Sequence, residues 1–146
     1  MRVGRPIPVS AGAIPRFLDR FDQVYSRLGR SETILAAAAA HHRLLWVHPF
    51  LDGNGRVARL MSHTILRDAL QTGGVWSIAR GLARDVAAYT SHLMTCDAER
   101  RHDVDGRGPL SEEALVAFTQ FFLETCLDQV RFMAQFVEPN RSFRSR

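Results

Sequence analysis

One stretch of twelve residues, at positions 48–59, constrains the structure of this chain more than any other. It reads HPFLDGNGRVAR and places a Gly-Asn-Gly turn directly before a segment with helical periodicity. Glycine allows the backbone to turn sharply and to approach a ligand closely. The first N–H groups of a helix have no partner within the helix and lie at the positive end of its dipole. The stretch therefore predicts a loop between two helices that can bind an anion.

Four side chains of this stretch suit the handling of a polyphosphate together with a metal ion. Arg56 and Arg59 are three residues apart, so both can project from one side of the first helical turn, and guanidinium groups match phosphate oxygens. Asp52 offers a hard oxygen ligand for Mg²⁺. Histidine has a reference pKa near neutrality, which makes His48 the candidate general base. Each feature alone also has a structural interpretation, since Gly-Asn-Gly is an ordinary turn and arginines on a helix are usually solvated.

The joint spacing resembles the signature of the Fic family. That signature is His, any residue, Phe, any residue, Asp or Glu, Gly, Asn, Gly, Arg, two of any residue, Arg, and every specified position is filled here. Residues 39–47 resemble the helix that delivers the motif histidine, and residues 74–84 and 105–111 resemble later blocks of bacterial members. Residues 3–8 resemble the approach to the first core helix, so the likeness covers roughly residues 3–138.

The resemblance implies an all-α fold and a protein adenylyltransferase. Such an enzyme moves AMP from ATP to a Ser, Thr or Tyr hydroxyl of a target protein and releases pyrophosphate. Carried over to matching positions, His48 is the catalytic base and Asp52 holds Mg²⁺. The nucleotide-binding residues are then Gly53, Asn54, Gly55, Arg56 and Arg59. Phe50 is expected to anchor the loop against the core.

Two alternatives stay open within this resemblance. One is a relative with other phosphate-group chemistry, such as UMP transfer or AMP removal. The other is a catalytically silent module that binds a nucleotide or a partner. Removal of AMP normally relies on an inhibitory glutamate, in a helix with the pattern Ser or Thr, three residues, Glu, then Gly or Asn. No Glu of this chain precedes Gly or Asn, so we expect any inhibitor or antitoxin to be a separate protein. We expect at most the last strand of the family's β-hairpin flap.

Composition indicates a single globular domain. The chain has 146 residues, of which 46% are hydrophobic, and we expect one domain over residues 1–146 with a core at about 11–138. Neither a membrane span nor a signal peptide is recognisable, which favours a cytoplasmic location. The net charge of +4 is spread out, without a basic run interleaved with aromatic residues, so nucleic-acid binding is not expected. Cys96 and Cys126 fit no metal or redox spacing and are expected to be reduced thiols.

The hydrophobic pattern predicts helices almost throughout. We expect helices over residues 11–28, 31–47 (with Ser31 as the N-cap), 55–70, 82–99 and 112–137 (with Ser111 as the N-cap). An extended piece is expected only at residues 2–3. The third helix is expected to bury Val57, Leu60, Met61, Ile65 and Leu66, and the last helix to bury Leu115, Phe118, Phe122, Cys126, Gln129 and Met133. The predicted architecture is a compact all-α bundle with the motif loop between its two central helices.

Two clusters suggest metal sites but are better explained otherwise. Residues 103–106 begin like a calcium loop, yet the third acidic position and the closing Glu are missing, which favours a turn between helices. His41 and His42 could suggest zinc together with His48. Adjacent residues of a helix point to different sides, however, and no cysteine is nearby, so a structural role beside the site is expected for both.

Overall fold

The computed structural model describes residues 9–72, 74–105, 108 and 110–137. The predicted extended piece at residues 2–3, Gly73 and the positions beyond residue 137 lie outside these ranges. After a short 3₁₀ turn at Ala11–Ala13, the described chain forms six helices: α1 (Ile14–Tyr25), α2 (Arg30–Val47), α3 (Asn54–Leu70), α4 (Ile78–Arg84), α5 (Val86–Cys96) and α6 (Glu112–Val137). Within the described ranges, β structure is limited to one isolated bridge between Glu99 and Leu110. The all-α prediction is confirmed.

Helix α2 is the centre of the bundle and packs against α1, α3 and α6. Its alanines at 37, 38 and 40 are fully buried, and their small side chains let neighbouring helices approach closely. The core on the other side of α2 is built from Phe118 and Phe122 of α6 together with Leu66 of α3 and Leu82 of α4. This packing holds the C-terminal end of α2, and hence the motif loop, in a defined place.

Helix α2 begins two residues earlier than its predicted N-cap implies. The expected N-cap, Ser31, is wrong, because Gly29 occupies that position and its backbone N–H donates to the Glu32 carboxylate at 2.9 Å. A glutamate at the third helical position reaches back in this way and substitutes for a capping hydroxyl. The first helix ends at Tyr25, close to the predicted stop before Gly29.

The helix predicted over residues 82–99 is wrong, because the structure has two helices there. The helix is interrupted at Asp85, whose φ of −137° and ψ of 69° are not helical. The Asp85 carboxylate accepts the Ala88 N–H at 3.0 Å and so caps the start of α5. Helix α4 lies very close to α6 at Gly81, where an added Cβ would be 2.5 Å from Thr125 Cγ2. The break therefore lets α4 and α5 pack on α6 in different directions.

The buried face of α3 also differs from the prediction. The residues that it buries fully are Asn54, Ala58, Ser62 and Leu66, a row spaced four apart, whereas Leu60 is 66% exposed. The face is rotated because α3 meets the alanine-rich α2 through its small residues, and close approach of two helices favours small over large side chains. Large apolar residues beside this row remain partly exposed.

The start of α6 confirms the predicted cap and the predicted turn. The Ser111 hydroxyl accepts the Ala114 N–H at 3.2 Å, and it donates to the buried carboxylate of Asp105. That carboxylate also accepts the N–H groups of Glu113 at 2.8 Å and Arg101 at 3.1 Å. These hydrogen bonds, led by that of Glu113, lower the pKa of Asp105 to about 2. Asp105 thus stabilises the start of α6.

Candidate active site

His48 stands at the point where α2 ends. Its backbone is left-handed, with φ 52° and ψ 56°, and its N–H donates to the Leu44 carbonyl at 3.1 Å, which closes the last turn of α2. This conformation turns the chain away from the helix axis and leaves His48 exposed. Gly53 is left-handed as well, with φ 83°, and α3 begins at the next residue. Only five residues therefore separate His48, at the C-terminus of α2, from the first residue of α3.

The loop is closed by the side chain of Asn54. Its amide nitrogen donates to the Phe50 carbonyl at 2.7 Å, and its amide oxygen accepts the Phe50 N–H at 3.0 Å. Asn54 is 4% exposed, so it shapes the loop from beneath, and its direct contact with a phosphate stays a prediction. The expectation that Phe50 anchors the loop through its ring is wrong, because the residue is 48% exposed and the anchor is its backbone.

All the predicted site residues line one cavity of about 330 Å³. Its lining consists of Leu51 and the seven predicted residues, His48, Asp52, Gly53, Asn54, Gly55, Arg56 and Arg59. The two glycines leave room for the arginines to fold back over the loop, because a methyl group at Gly53 or Gly55 would lie 3.2 Å from Arg56 or 3.1 Å from Arg59. The structure thus brings the predicted base, carboxylate and cations to the same opening.

Asp52 and Arg56 form an ion pair at the rim of this cavity. Arg56 Nη2 donates to Asp52 Oδ2 at 3.0 Å, and the side chains are 74% and 92% exposed. A pair exposed to this degree contributes only about 0–1 kcal/mol, so either group can exchange its partner for a ligand at small cost. The carboxylate is consequently accessible to a cation, and the guanidinium is accessible to a phosphate.

Mg²⁺ is the metal that the predicted chemistry requires, and Asp52 fits it. Mg²⁺ in nucleotide sites is usually held by one or two carboxylates together with substrate phosphates and water. Asp52 is a single exposed oxygen donor at the mouth of a basic cavity, which matches that mode. Within the described ranges, no group of three or more His, Cys, Asp or Glu side chains could hold a metal by itself.

A second, larger cavity of about 480 Å³ shares Arg56 and Arg59 with the first. It runs along α3 past Leu60 and His63 towards the C-terminal half of α6. Trp76 forms part of its wall but is only 4% exposed, while Arg80 lies 3.9 Å over the Phe132 ring and donates to Gln129 at 2.9 Å. The two arginines of the motif therefore lie between two openings.

A polar cluster that the sequence did not reveal lies beneath Arg59. His41 is fully buried, with its Nδ1 hydrogen-bonded to Ser62 at 2.8 Å and its Nε2 to the Tyr89 hydroxyl at 2.7 Å. Burial and the nearby charge of Arg59 lower the pKa of His41 to about 4, so the ring is neutral at pH 7. Tyr89 lies on α5, and no local pattern connects it with α2 or α3.

His42 points to the other side of α2, as predicted from its position. It is buried, and its Nε2 lies 2.8 Å from Asp97 Oδ1, far along the chain at the end of α5. His41 and His42 therefore have separate structural partners, as a structural role for both residues requires. Cys96 and Cys126 form no disulfide, and burial raises the pKa of Cys126 to about 12.

The N-terminal part of the chain is similar to a known protein family. Residues 2–66, which include α1, α2, the motif loop and most of α3, match the model of the Fic/DOC family. Over residues 2–66 the chain is therefore similar to the Fic/DOC family. The resemblance predicted from the motif is confirmed over residues 2–66, and every specified residue of the signature except Phe50 lines the 330 Å³ cavity.

Several curated proteins are similar to part of the chain. They include proteins named Protein adenylyltransferase Fic from Drosophila erecta, Drosophila melanogaster and Drosophila willistoni, which are 36%, 38% and 39% identical over 69 residues. The match covers 46% of this chain and 14% of each relative, so the chain spans a small part of the length of these proteins. No solved structure matches the chain. None of the helices in the described ranges has the length and apolar character needed to cross a membrane.

Proposed function

We propose that the chain is a protein adenylyltransferase. It would transfer AMP from ATP to the hydroxyl group of a Ser, Thr or Tyr side chain in a target protein. The observation that carries this proposal is the single cavity in which His48, Asp52, Arg56 and Arg59 meet at the N-terminus of α3. The Fic/DOC model matches the residues that build the cavity, and proteins that match part of the chain are named as adenylyltransferases, which supports the same chemistry.

His48 is the group that handles the proton. The oxygen of the target hydroxyl attacks the α-phosphorus of ATP, forming a new P–O bond while the bond from that phosphorus to the β-bridging oxygen breaks. The hydroxyl proton passes to the imidazole, and pyrophosphate leaves. The exposed, left-handed position of His48 suits this role because a macromolecular substrate has to reach the imidazole from solvent.

The start of α3 provides the electrostatic part of the mechanism. Its free backbone N–H groups around Gly53 and Gly55 offer donors to the phosphates, and the helix dipole favours negative charge at this point. Arg56 and Arg59 stabilise the charge that accumulates on the departing pyrophosphate. Asn54 keeps the loop in the shape that directs these donors into the cavity.

Asp52 would hold the Mg²⁺ that accompanies ATP. When bound, the ion neutralises phosphate charge and thereby assists departure of pyrophosphate. Arg56, which is the partner of Asp52 in the present structure, is then available to the phosphates.

Labelling experiments test the proposal directly. The protein is incubated with Mg²⁺, cell lysate and ATP labelled at the α-phosphate, in parallel with UTP labelled in the same way. We expect label on protein from ATP, and its loss by a factor of about 10² to 10⁴ in His48→Ala, the usual effect of removing a general base. ATP binding by His48→Ala should stay near that of the parent, because the base acts on the proton.

The other outcomes identify the alternatives. Label from UTP but not from ATP would indicate UMP transfer. Bound nucleotide without labelled protein would indicate a silent binding module. Release of AMP from a pre-labelled target, without incorporation, would indicate the reverse activity. Transfer by His48→Ala within a few-fold of the parent would show that His48 is not the base.

A further inference from the structure

The larger cavity beside the motif, of about 480 Å³, has basic side chains in its wall and, among the described residues, no acidic one. Arg56 and Arg59 of α3 and Arg80 of α4 all line it. Its volume lies within the range of roughly 300–1,000 Å³ that is usual for small-molecule sites. Guanidinium groups that surround one opening raise the local concentration of anions. The charge of this cavity therefore points to an anionic ligand.

Arg80 is held in the wall of the cavity by two neutral groups. Its Cζ lies 3.9 Å from the centroid of the Phe132 ring, and its Nη1 donates to Gln129 Oε1 at 2.9 Å. Gln129 is 1% exposed, so the packing of α6 fixes this acceptor. An aromatic ring and an amide orient a guanidinium without carrying a net charge themselves. Arg80 is itself exposed, so its positive charge is accessible to a ligand from solvent.

The next arginine of α4 has a different environment. Arg84 lies one helical turn further on, its Nη1 is 3.8 Å from Asp128 Oδ2, and it lines neither the larger cavity nor the motif cavity. Helix α4 thus presents Arg84 to a carboxylate and Arg80 to the larger cavity. The two residues form a matched pair for experiments, because they have the same side chain on the same helix.

The geometry of the proposed reaction connects the larger cavity with the leaving group. The attacking and leaving oxygens lie roughly in line, on opposite sides of the α-phosphorus. His48 lines the motif cavity but not the larger one, so pyrophosphate departs on the side of the phosphorus away from His48. Arg56 and Arg59 line both cavities. A leaving group that these two arginines stabilise therefore has the larger cavity next to it.

We propose that the larger cavity is a pyrophosphate site, in which Arg80 binds the departing pyrophosphate that Arg56 and Arg59 stabilise first. The proposal rests on the proposed function for the identity of the leaving group. A target protein bound at His48 covers the opening of the motif cavity, and the larger cavity then gives pyrophosphate a separate route to solvent.

Binding of inorganic pyrophosphate to the nucleotide-free protein tests the proposal without any transfer reaction. Calorimetry measures the affinities of the parent, Arg80→Met and Arg84→Met for pyrophosphate and for AMP. Methionine keeps an apolar stem over Phe132 and removes the charge. We expect Arg80→Met to weaken pyrophosphate binding by roughly 5- to 10-fold, the loss of a charged hydrogen bond, and AMP binding by less than about twofold. Arg84→Met removes the same charge from the same helix and should change either affinity by less than about twofold.

A second pair of variants adds a charge instead of removing one. Leu60 is 66% exposed and lines the larger cavity but not the motif cavity, so its replacement leaves the core intact. Leu60→Glu should bind pyrophosphate at least about threefold more weakly than Leu60→Gln, which has nearly the same shape without the charge. Thermal unfolding of all four variants shows whether a loss of binding follows from loss of the fold.

The outcomes separate the pyrophosphate site from the proposed function. Absence of pyrophosphate binding by the parent, or equal affinities of Arg80→Met and Arg84→Met or of the two Leu60 variants, would overturn the pyrophosphate site. A loss confined to Arg80→Met and Leu60→Glu, in a protein that transfers no AMP, would refute the proposed function alone. Where AMP transfer occurs, the concentration of added pyrophosphate that halves its rate should be roughly 5- to 10-fold higher for Arg80→Met than for Arg84→Met.

Discussion

The stability of this protein should depend on pH through His41, whose ring is buried neutral. The pKa of His41 is about 4 in the folded protein and 6.5 in the unfolded chain, because burial and the charge of Arg59 disfavour the imidazolium. Above pH 6.5 both states leave the ring neutral, and His41 adds no pH dependence. Between pH 6.5 and about 4 only the unfolded chain binds the proton, so acidification favours unfolding.

The magnitude follows from this gap. Between the two pKa values, each pH unit of acidification lowers the free energy of unfolding by about 1.4 kcal/mol. The total loss is about 3 kcal/mol at pH 4. A typical domain of this size has about 5–15 kcal/mol in total, so the loss is a large fraction. His42 adds to the positive surroundings of the ring, and its own partner, Asp97, lies on the other side of α2.

Urea denaturation at pH values from 7.5 to 4, for the parent and for His41→Gln, measures this effect. Glutamine cannot titrate but offers a donor and an acceptor in the same place. We expect His41→Gln to be less stable than the parent at pH 7. As the pH falls to 4, the free energy of unfolding of the parent should decrease by about 3 kcal/mol relative to that of the variant. A gap that stays constant within about 0.5 kcal/mol, the error of such extrapolations, would show that His41 is not held neutral by the fold.

Three further predictions concern the site and its support. Arg59→Ala should weaken ATP binding by about tenfold or more and AMP binding much less, because charged hydrogen bonds contribute about 1.5–3 kcal/mol. Calorimetry measures both affinities, with Arg67→Ala as the control, and equal losses for ATP and AMP would contradict the phosphate role. Gly81→Ala should destabilise the protein by about 1–2 kcal/mol in urea, because overpacking against α6 outweighs better helix propensity, whereas Gly12→Ala, with no atom within 4 Å, should not. Asp105→Asn should lower Tm at pH 7, and the difference in Tm from the parent should shrink as the pH falls from 3.8 towards 2. The reason is that a lowered carboxyl pKa gives stability that is present above pH 3.8 and is lost below the pKa of the folded protein. A difference in Tm that is independent of pH would contradict this.

Local signals predicted those parts of the fold that depend on local chemistry. The end of α2 before His48, the start of α3 at the Gly-Asn-Gly turn and the cap of α6 at Ser111 were all recognisable, since turn and cap residues act on the backbone within a few positions. The break at Asp85 has a local cause too, because its carboxylate caps α5, but the apolar pattern continues across it and concealed it.

The remainder depends on partners distant in sequence. The face that α3 buries is decided by the close approach of α2. Periodicity predicted Leu66 correctly but missed Ala58 and Ser62, which are the small residues of that contact. The motif residues were found because they are contiguous, whereas Tyr89 lies on another helix and meets His41 only through the fold. Single-sequence patterns do not carry such contacts between helices.

The left-handed backbone of residue 48 narrows the choice of amino acid there before any chemistry is considered. With φ at 52°, glycine, asparagine, aspartate and histidine are the residues that accept the position with least strain. Substitution of His48 by asparagine or glycine would therefore preserve the turn, the cap of α2 and the helical bundle. The fold alone thus accepts asparagine or glycine at position 48 and does not require histidine. Histidine is the member of this short set with a reference pKa near neutrality, so one residue can satisfy both the turn and the proton transfer proposed for position 48.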